Sequence, residues 1–142
     1  LHGRAEDDFG SGRIYIWKNV WQAAKERPLF GGGPDTLSRR ITAYFERYDE
    51  AGHIVRRTGI DTAHNEYLNI LANQGLFALI CWLGALGCSA VRFVRRAGER
   101  PAALICGSAV LGYCVQAFFG ISMCLSTPFF VIAWAMLETR EN

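Results

Sequence analysis

Charge is missing from two long stretches of this chain. Of its 142 residues, the 25 from Tyr67 to Val91 and the 37 from Pro101 to Leu137 contain no Asp, Glu, Lys or Arg. A helix on the surface of a soluble domain needs a polar face, and uncharged runs beyond about 18 residues read as membrane spans. The two stretches therefore exclude an ordinary soluble domain for the second half of the chain. Cysteine is missing from the first 66 residues. Cys81, Cys88, Cys106, Cys114 and Cys124 all lie within or at the edge of the apolar runs, which excludes a disulfide framework. With no metal-ligand spacing among them, they read as small apolar residues packed between helices. The chain has no internal repeat and no low-complexity tract. It also has no initiator Met and no recognisable signal peptide, and Leu1 begins inside polar sequence. The expectation is a C-terminal fragment of something longer.

The charges that are present are unevenly placed. Ten of the fifteen Lys and Arg residues, and ten of the thirteen Asp and Glu residues, fall between Leu1 and Glu66. The first uncharged run extends roughly 37 Å as a helix, enough for a hydrocarbon core of roughly 30 Å with some tilt. The second, at roughly 55 Å, is too long for one span and should fold into two, breaking near Gly120 to Pro128. Pro128 suits the first turn of the last helix because it lacks a backbone donor, and Ser126 or Thr127 could cap it. Three transmembrane helices are expected, at about 67–94, 102–119 and 125–138. The linker between the first two carries Arg92, Arg95, Arg96 and Arg100 against Glu99. Short basic loops stay in the cytoplasm, so residues 1–66 should be extracytoplasmic and the C-terminus cytoplasmic.

Within the polar segment, Ile14, Trp17, Trp21 and Ala24 recur at helical spacing over Arg13 to Arg27, with Lys18, Lys25 and Glu26 off that face. Pro28 should end this helix. Two readings stand side by side: a helix lying at the membrane interface, where indole rings prefer to sit, or a helix packed on other protein. Phe30-Gly31-Gly32-Gly33-Pro34-Asp35 is a turn. No strand precedes it and no Gly-Lys-Ser or Gly-Lys-Thr follows, which excludes a nucleotide loop. Thr36 can cap a second helix with Leu37, Ile41, Phe45 and Tyr48 on one face and Arg39, Arg40 and Arg47 on others. Asp49 to Ile60 reads as irregular, with turn signals at Gly52 and Gly59. Asp61 or Thr62 can cap the long helix that becomes the first span, leaving His64 and Asn65 in its first turn.

That junction has chemical potential. A helix N-terminus favours bound anions. The same field disfavours an imidazolium, which suits a histidine that must accept a proton as general base. Arg13 and its basic neighbours can hold phosphate through charge-assisted hydrogen bonds, so His plus Arg at a bilayer surface suits a lipid-phosphate substrate. The bland readings are a capping or solvated histidine and a solvated arginine.

His64-Asn65, nine residues, then Gly75 resembles the signature at the junction of external loop and helix in the O-antigen ligase family. That family includes polysaccharide polymerases and protein O-oligosaccharyltransferases. The stretch Gly12-Arg13-Ile14-Tyr15-Ile16-Trp17, followed by Pro28-Leu29-Phe30-Gly31-Gly32-Gly33-Pro34, is similar to its Arg-x-x-x-Trp … Pro-Leu-x-Gly-x-Gly-Pro pattern. Order, spacing and expected topology agree from about Ser11 to the last span. One place departs: four positions after Gly75 the family often has a small residue or Tyr, and here stands Leu79, read as a packing difference inside the span.

The resemblance implies an all-α integral membrane protein of the C-type glycosyltransferase kind, an external loop of short amphipathic helices followed by three spans. It implies a multi-pass protein of the bacterial cytoplasmic membrane, and an inverting, metal-independent transfer on the outer side, without cofactor or nucleic acid. The donor would be a glycan on a polyprenyl diphosphate and the acceptor a hydroxyl of a glycolipid, glycan or protein. Carried over by position, His64 is the general base and Arg13 binds the diphosphate. Asn65 orients His64 or substrate, and Arg39, Arg40, Arg56 and Arg57 are candidates to hold anionic substrate. Other members supply a further Arg from an upstream external loop, so this stretch alone is expected to be inactive. Polymerase and protein glycosyltransferase share the motif and differ in acceptor. A transporter fragment is the non-enzymatic alternative.

Overall fold

The computed structural model describes the backbone of residues 12–48, 54–96 and 101–139, and side chains within 12–44, 58–95 and 101–139. Helix α1 is Arg13–Glu26 and helix α2 is Leu37–Arg40. Strands β1 (Tyr44–Tyr48) and β2 (Ile54–Gly59) follow, then helices α3 (Glu66–Arg96), α4 (Pro101–Gln116) and α5 (Thr127–Glu138). The chain is mostly helical. It divides into two compact units, Leu1–Leu79 and Ile80–Asn142.

The first unit is built on α1. Its buried face is Ile16, Val20, Ala23 and Ala24, the i, i+4, i+7, i+8 stripe of an amphipathic helix. These side chains meet Leu37, Ile41, Ile60, Ala63 and Ala72 in one apolar core, with Trp17, Leu68 and Leu71 packed against it. The expected face of Ile14, Trp17, Trp21 and Ala24 is thus corrected. Ile14 and Trp21 are exposed and Trp17 lies at the margin of the core. Smaller residues at the same period fill the space between the chain's own elements, so the helix packs on protein with one face and leaves an indole uncovered on another.

The all-α expectation is also corrected. The second helix stops at Arg40, and the following residues form an antiparallel hairpin instead of a helix and an irregular stretch. Tyr44 pairs with Gly59 and Glu46 with Arg57, with a bulge between Arg47 and Tyr48. Tyr44-Phe45 and Ile54-Val55 are aromatic and β-branched residues, which fit a pleated surface better than a helix. The Thr36 hydroxyl does not cap α2; it donates to the Gly33 carbonyl at 2.8 Å.

In the second unit, α4 and α5 pack together, and Ala103, Cys106 and Leu137 are buried with Phe93 against them. Trp82 meets Trp134 edge-on at 5.4 Å and Tyr113 stacks on Phe130 at 4.1 Å. A polar relay crosses this apolar surround. Trp134 Nε1 donates to the buried Ser89 hydroxyl at 2.6 Å, Ser89 donates to Glu138 Oε1 at 2.6 Å, and Arg92 pairs with Glu138 Oε2. Chaining the donors this way leaves the one buried group of the four, the Ser89 hydroxyl, paired on both sides. Neither Ser126 nor Thr127 caps α5 with its side chain. Ser126 makes no cap bond and the Thr127 hydroxyl pairs with Tyr113 at 3.3 Å, while Pro128 sits in the first turn. Among the described residues one helix, over Glu66–Arg95, is long and apolar enough to cross a membrane, and α4 and α5 are shorter apolar helices. The winding of α4 tightens beyond Gln116 into turns that reach Phe119, with Phe119 N–H bonded to Gln116 at 2.9 Å.

Candidate active site

Asn65, not Asp61 or Thr62, caps the long helix. Its Oδ1 accepts from the Leu68 N–H at 3.0 Å and its carbonyl accepts the first helical bond, from Asn69, at 2.9 Å. This is the geometry in which an N-cap amide satisfies one of the orphan donors of the first turn. Asn65 is 6% exposed. Its oxygen is therefore committed to the cap and not to the imidazole beside it.

The cap moves His64 out of the helix. His64 takes a left-handed backbone, φ +47, a conformation that His adopts more readily than most residues. Its neighbours Ala63 and Asn65 are both buried while His64 is exposed. The backbone twist thus seats the residues on either side in the core and presents the imidazole outward. A second tie fixes the same place from α1. Trp17 Nε1 donates to the Ala63 carbonyl at 3.0 Å. Arg13 is one turn before Trp17 on the same helical face. It is half-buried and opens α1 behind Gly12, which takes φ +74, and the first turn holds no acid. A guanidinium in a first helical turn that holds no acid is a locally positive spot.

The other candidate arginines lie on α2 and β2. Arg39 is exposed at the end of α2. Arg40 is 13% exposed, donates from Nη1 to the Ala72 carbonyl at 2.8 Å and from Nη2 to the Ala23 carbonyl, and lies 4.0 Å from Glu26. Its guanidinium is occupied by backbone near the end of α1 and inside α3, which makes it a clamp. Arg56 and Arg57 lie on β2 and their side chains are outside the described residues. Among the described residues no group of three or more His, Cys, Asp or Glu is placed to hold a metal ion.

What Arg40 clamps is a break in α3. Gly75 has φ +88 and ψ 179 inside the helix, backbone open essentially to glycine alone. The turn after α1 fills the gap. Gly32 and Gly33 N–H donate to the Ala72 and Asn73 carbonyls at 3.0 and 2.8 Å, and the Leu76 and Phe77 N–H donate to Pro28 and Leu29 at 2.8 and 3.4 Å. The two segments approach too closely for side chains. A Cβ on Gly31 would lie 2.3 Å from Asn73 backbone, and one on Gly75 would lie 2.3 Å from the Leu29 oxygen. The Pro-Leu-x-Gly-x-Gly-Pro stretch and the Gly of the His-Asn-x9-Gly stretch are therefore two sides of one joint.

Sequence reasoning missed this joint, although the glycine spacing contained it. It also missed Asn69 and Asn73, which continue from Asn65 an i, i+4, i+8 stripe from the cap to the break, in which Asn73 Nδ2 donates to Asn69 Oδ1 at 3.2 Å. The structure ties Trp17, one turn after Arg13, to the residue before His64, and holds Arg40 on the Ala23 and Ala72 carbonyls.

Comparison with curated proteins and with solved structures gave no match. A protein-family model described as O-antigen ligase matches residues 1–83, a range that holds both glycine segments, Arg13, His64 and the helix break. An apolar helix of membrane-spanning length and this match together point to a membrane protein with ligase-type glycan transfer as its family activity. With more than half its length covered by that match, the chain belongs to the O-antigen ligase family.

Proposed function

We propose that this chain carries the catalytic histidine of an O-antigen ligase, moving a glycan from a polyprenyl diphosphate to an acceptor hydroxyl at the outer face of the bacterial cytoplasmic membrane. The observation that carries the proposal is the setting of His64: exposed, in a left-handed conformation between two buried neighbours, and tied through Trp17 to the helix that Arg13 opens. An exposed imidazole on a backbone pinned at both sides suits a group that must meet a mobile acceptor with fixed geometry.

In the proposed reaction the acceptor hydroxyl gives its proton to His64 as its oxygen bonds to the anomeric carbon. The bond from that carbon to the diphosphate oxygen breaks on the opposite face, and the electron pair leaves with the polyprenyl diphosphate. The configuration inverts in this single displacement, and no metal is needed. Arg13 and the N–H groups at the start of α1 stabilise the charge that develops on the leaving diphosphate. Arg39, Arg56 and Arg57 are proposed to hold anionic substrate nearby, and Asn65 holds the loop that presents His64. Residues 1–66 lie outside, α3, α4 and α5 cross the membrane, and the basic stretch after α3 is cytoplasmic.

The test is His64→Ala and Arg13→Ala in the full-length protein, with membrane insertion and surface glycan both measured. Both variants should insert normally and lose transfer. Normal surface glycan from either variant refutes the assignment of that residue, and from both it favours a membrane module without this chemistry. Sidedness is tested by a cysteine at Gly52 with the five native cysteines replaced. An impermeant thiol reagent should label it in intact cells, and no labelling reverses the topology.

A further inference from the structure

The turn that fills the helix break carries apolar side chains on its outside. Phe30 is 76% exposed, and its ring stacks on that of Phe77, itself 61% exposed, at 5.9 Å and 4°. Leu29 and Leu76 are exposed beside them in sequence. Four large apolar residues uncovered around one joint need a partner that is not water.

The polarity of α3 changes at the same point. Before Gly75 the helix holds Glu66, Asn69, Asn73 and Gln74. From Leu76 to Gly87 it holds no charged, amide or hydroxyl side chain. The uncharged stretch from Leu76 to Val91 is 16 residues, a helix of roughly 24 Å, and the arginines that follow it are long enough to reach the headgroups from the edge of a hydrocarbon core of roughly 30 Å. Taken whole, α3 would be roughly 46 Å and would over-reach it.

We infer that the outer hydrocarbon boundary lies at Gly75, and that the Leu29-Phe30 turn, stacked on Phe77, is seated among lipid acyl chains. The inference rests on reading the Leu76–Arg96 stretch as a membrane span. Backbone that leaves the helix at membrane depth must find its hydrogen bonds within the protein. This turn does so: Gly31, Gly32 and Gly33 donate to Arg27, Ala72 and Asn73, while Pro28 and Leu29 accept from Leu76 and Phe77. The occupant is lipid because Phe77, on which Phe30 stacks, is itself the second residue of the span. The nine residues Glu66–Gln74, a helical length of roughly 14 Å, then stand outside the hydrocarbon and carry His64 away from it. The span begins near Leu76 instead of Tyr67.

The test uses the full-length protein with its native cysteines replaced, reconstituted in phosphatidylethanolamine–phosphatidylglycerol vesicles. Nitroxide labels are placed at Phe30→Cys, Ile80→Cys and Glu66→Cys, and collision with oxygen, which concentrates in lipid, is compared with collision with a water-soluble nickel chelate. Phe30 and Ile80 should favour oxygen and Glu66 the nickel chelate. Nickel access at Phe30 equal to that at Glu66 overturns the inference by placing the turn in water. Low access to both probes at Phe30 overturns it by showing that protein covers the turn. Nickel access at Ile80 overturns the membrane reading on which the inference rests.

Discussion

Replacing Gly75 by alanine should destabilise the protein, although the residue lies in a helix where alanine is normally the better choice. At φ +88 and ψ 179 an L-residue costs on the order of 1–3 kcal/mol, and the new Cβ would stand 2.3 Å from the Leu29 oxygen, so the joint cannot stay as it is. The alternative is to straighten α3. Leu76 and Phe77 would then donate to Ala72 and Asn73 in ordinary helical fashion, but those carbonyls now accept from Gly32 and Gly33. The two displaced N–H groups lose about 1 kcal/mol each, and separation of the Phe30–Phe77 stack loses about 0.5–1.5 kcal/mol. The strained route therefore loses about 1–3 kcal/mol before the contact with Leu29 is counted, and the straightened one about 2.5–3.5 kcal/mol. Gly84 and Gly87 are the controls. They lie in the same helix, and a Cβ added at either would have nothing within 4 Å, so alanine there should add about 0.5–1 kcal/mol. The assay is unfolding of the full-length protein in detergent, with the three substitutions measured in parallel. A Gly75→Ala protein that melts with Gly84→Ala, at or above the parent, would refute the account of the joint.

Three further substitutions test other parts of the structure. Arg40→Ala should lose about 1–3 kcal/mol by leaving the Ala23 carbonyl without its donor, whereas Arg39→Ala, on an exposed residue, should stay within about 0.5 kcal/mol; equal melting of the two would return Arg40 to the pool of substrate-binding candidates. Asn65→Ala should cost about 1 kcal/mol and Asn65→Asp should retain the cap, so unchanged unfolding of the alanine variant would remove the capping role. Ser89→Ala strands both the Trp134 N–H and one oxygen of Glu138 and should cost about 1–3 kcal/mol, read from the same unfolding curves.

The sequence made some features legible because one physical signal dominated them. The absence of charge over Tyr67 to Val91 forced a long apolar helix, and Pro28 ended α1 where expected. The hairpin was hidden because Phe45 and Tyr48 fit a helical stripe running from Leu37 as readily as they fit a strand, and only the pairing with Ile54–Gly59 decides between them. The buried face of α1 was misjudged because bulk was weighed above fit. Trp17 and Trp21 share a period with Ile16, Val20 and Ala23, and the smaller set is the one that approaches Leu37 and Ala72. The cap fell to Asn65 because a left-handed His64 lets the chain turn late, and no pattern of residue types announces that backbone angle. The glycines at 31 and 75 stood in plain view in both motifs, but their purpose depends on two segments more than forty residues apart in the chain coming into contact.

The joint at Gly75 also orders events in time. The turn that follows α1 reaches the ribosome exit well before Ala72 to Phe77, yet its N–H and carbonyl groups have their partners there. Until that helix is made and in place, the first unit lacks one wall of its core, Ala72, and both anchors of its glycine turn. The first unit is thus completed only by the arrival of the helix that closes it, and a chain whose helix is misplaced leaves Gly32 and Gly33 without their acceptors.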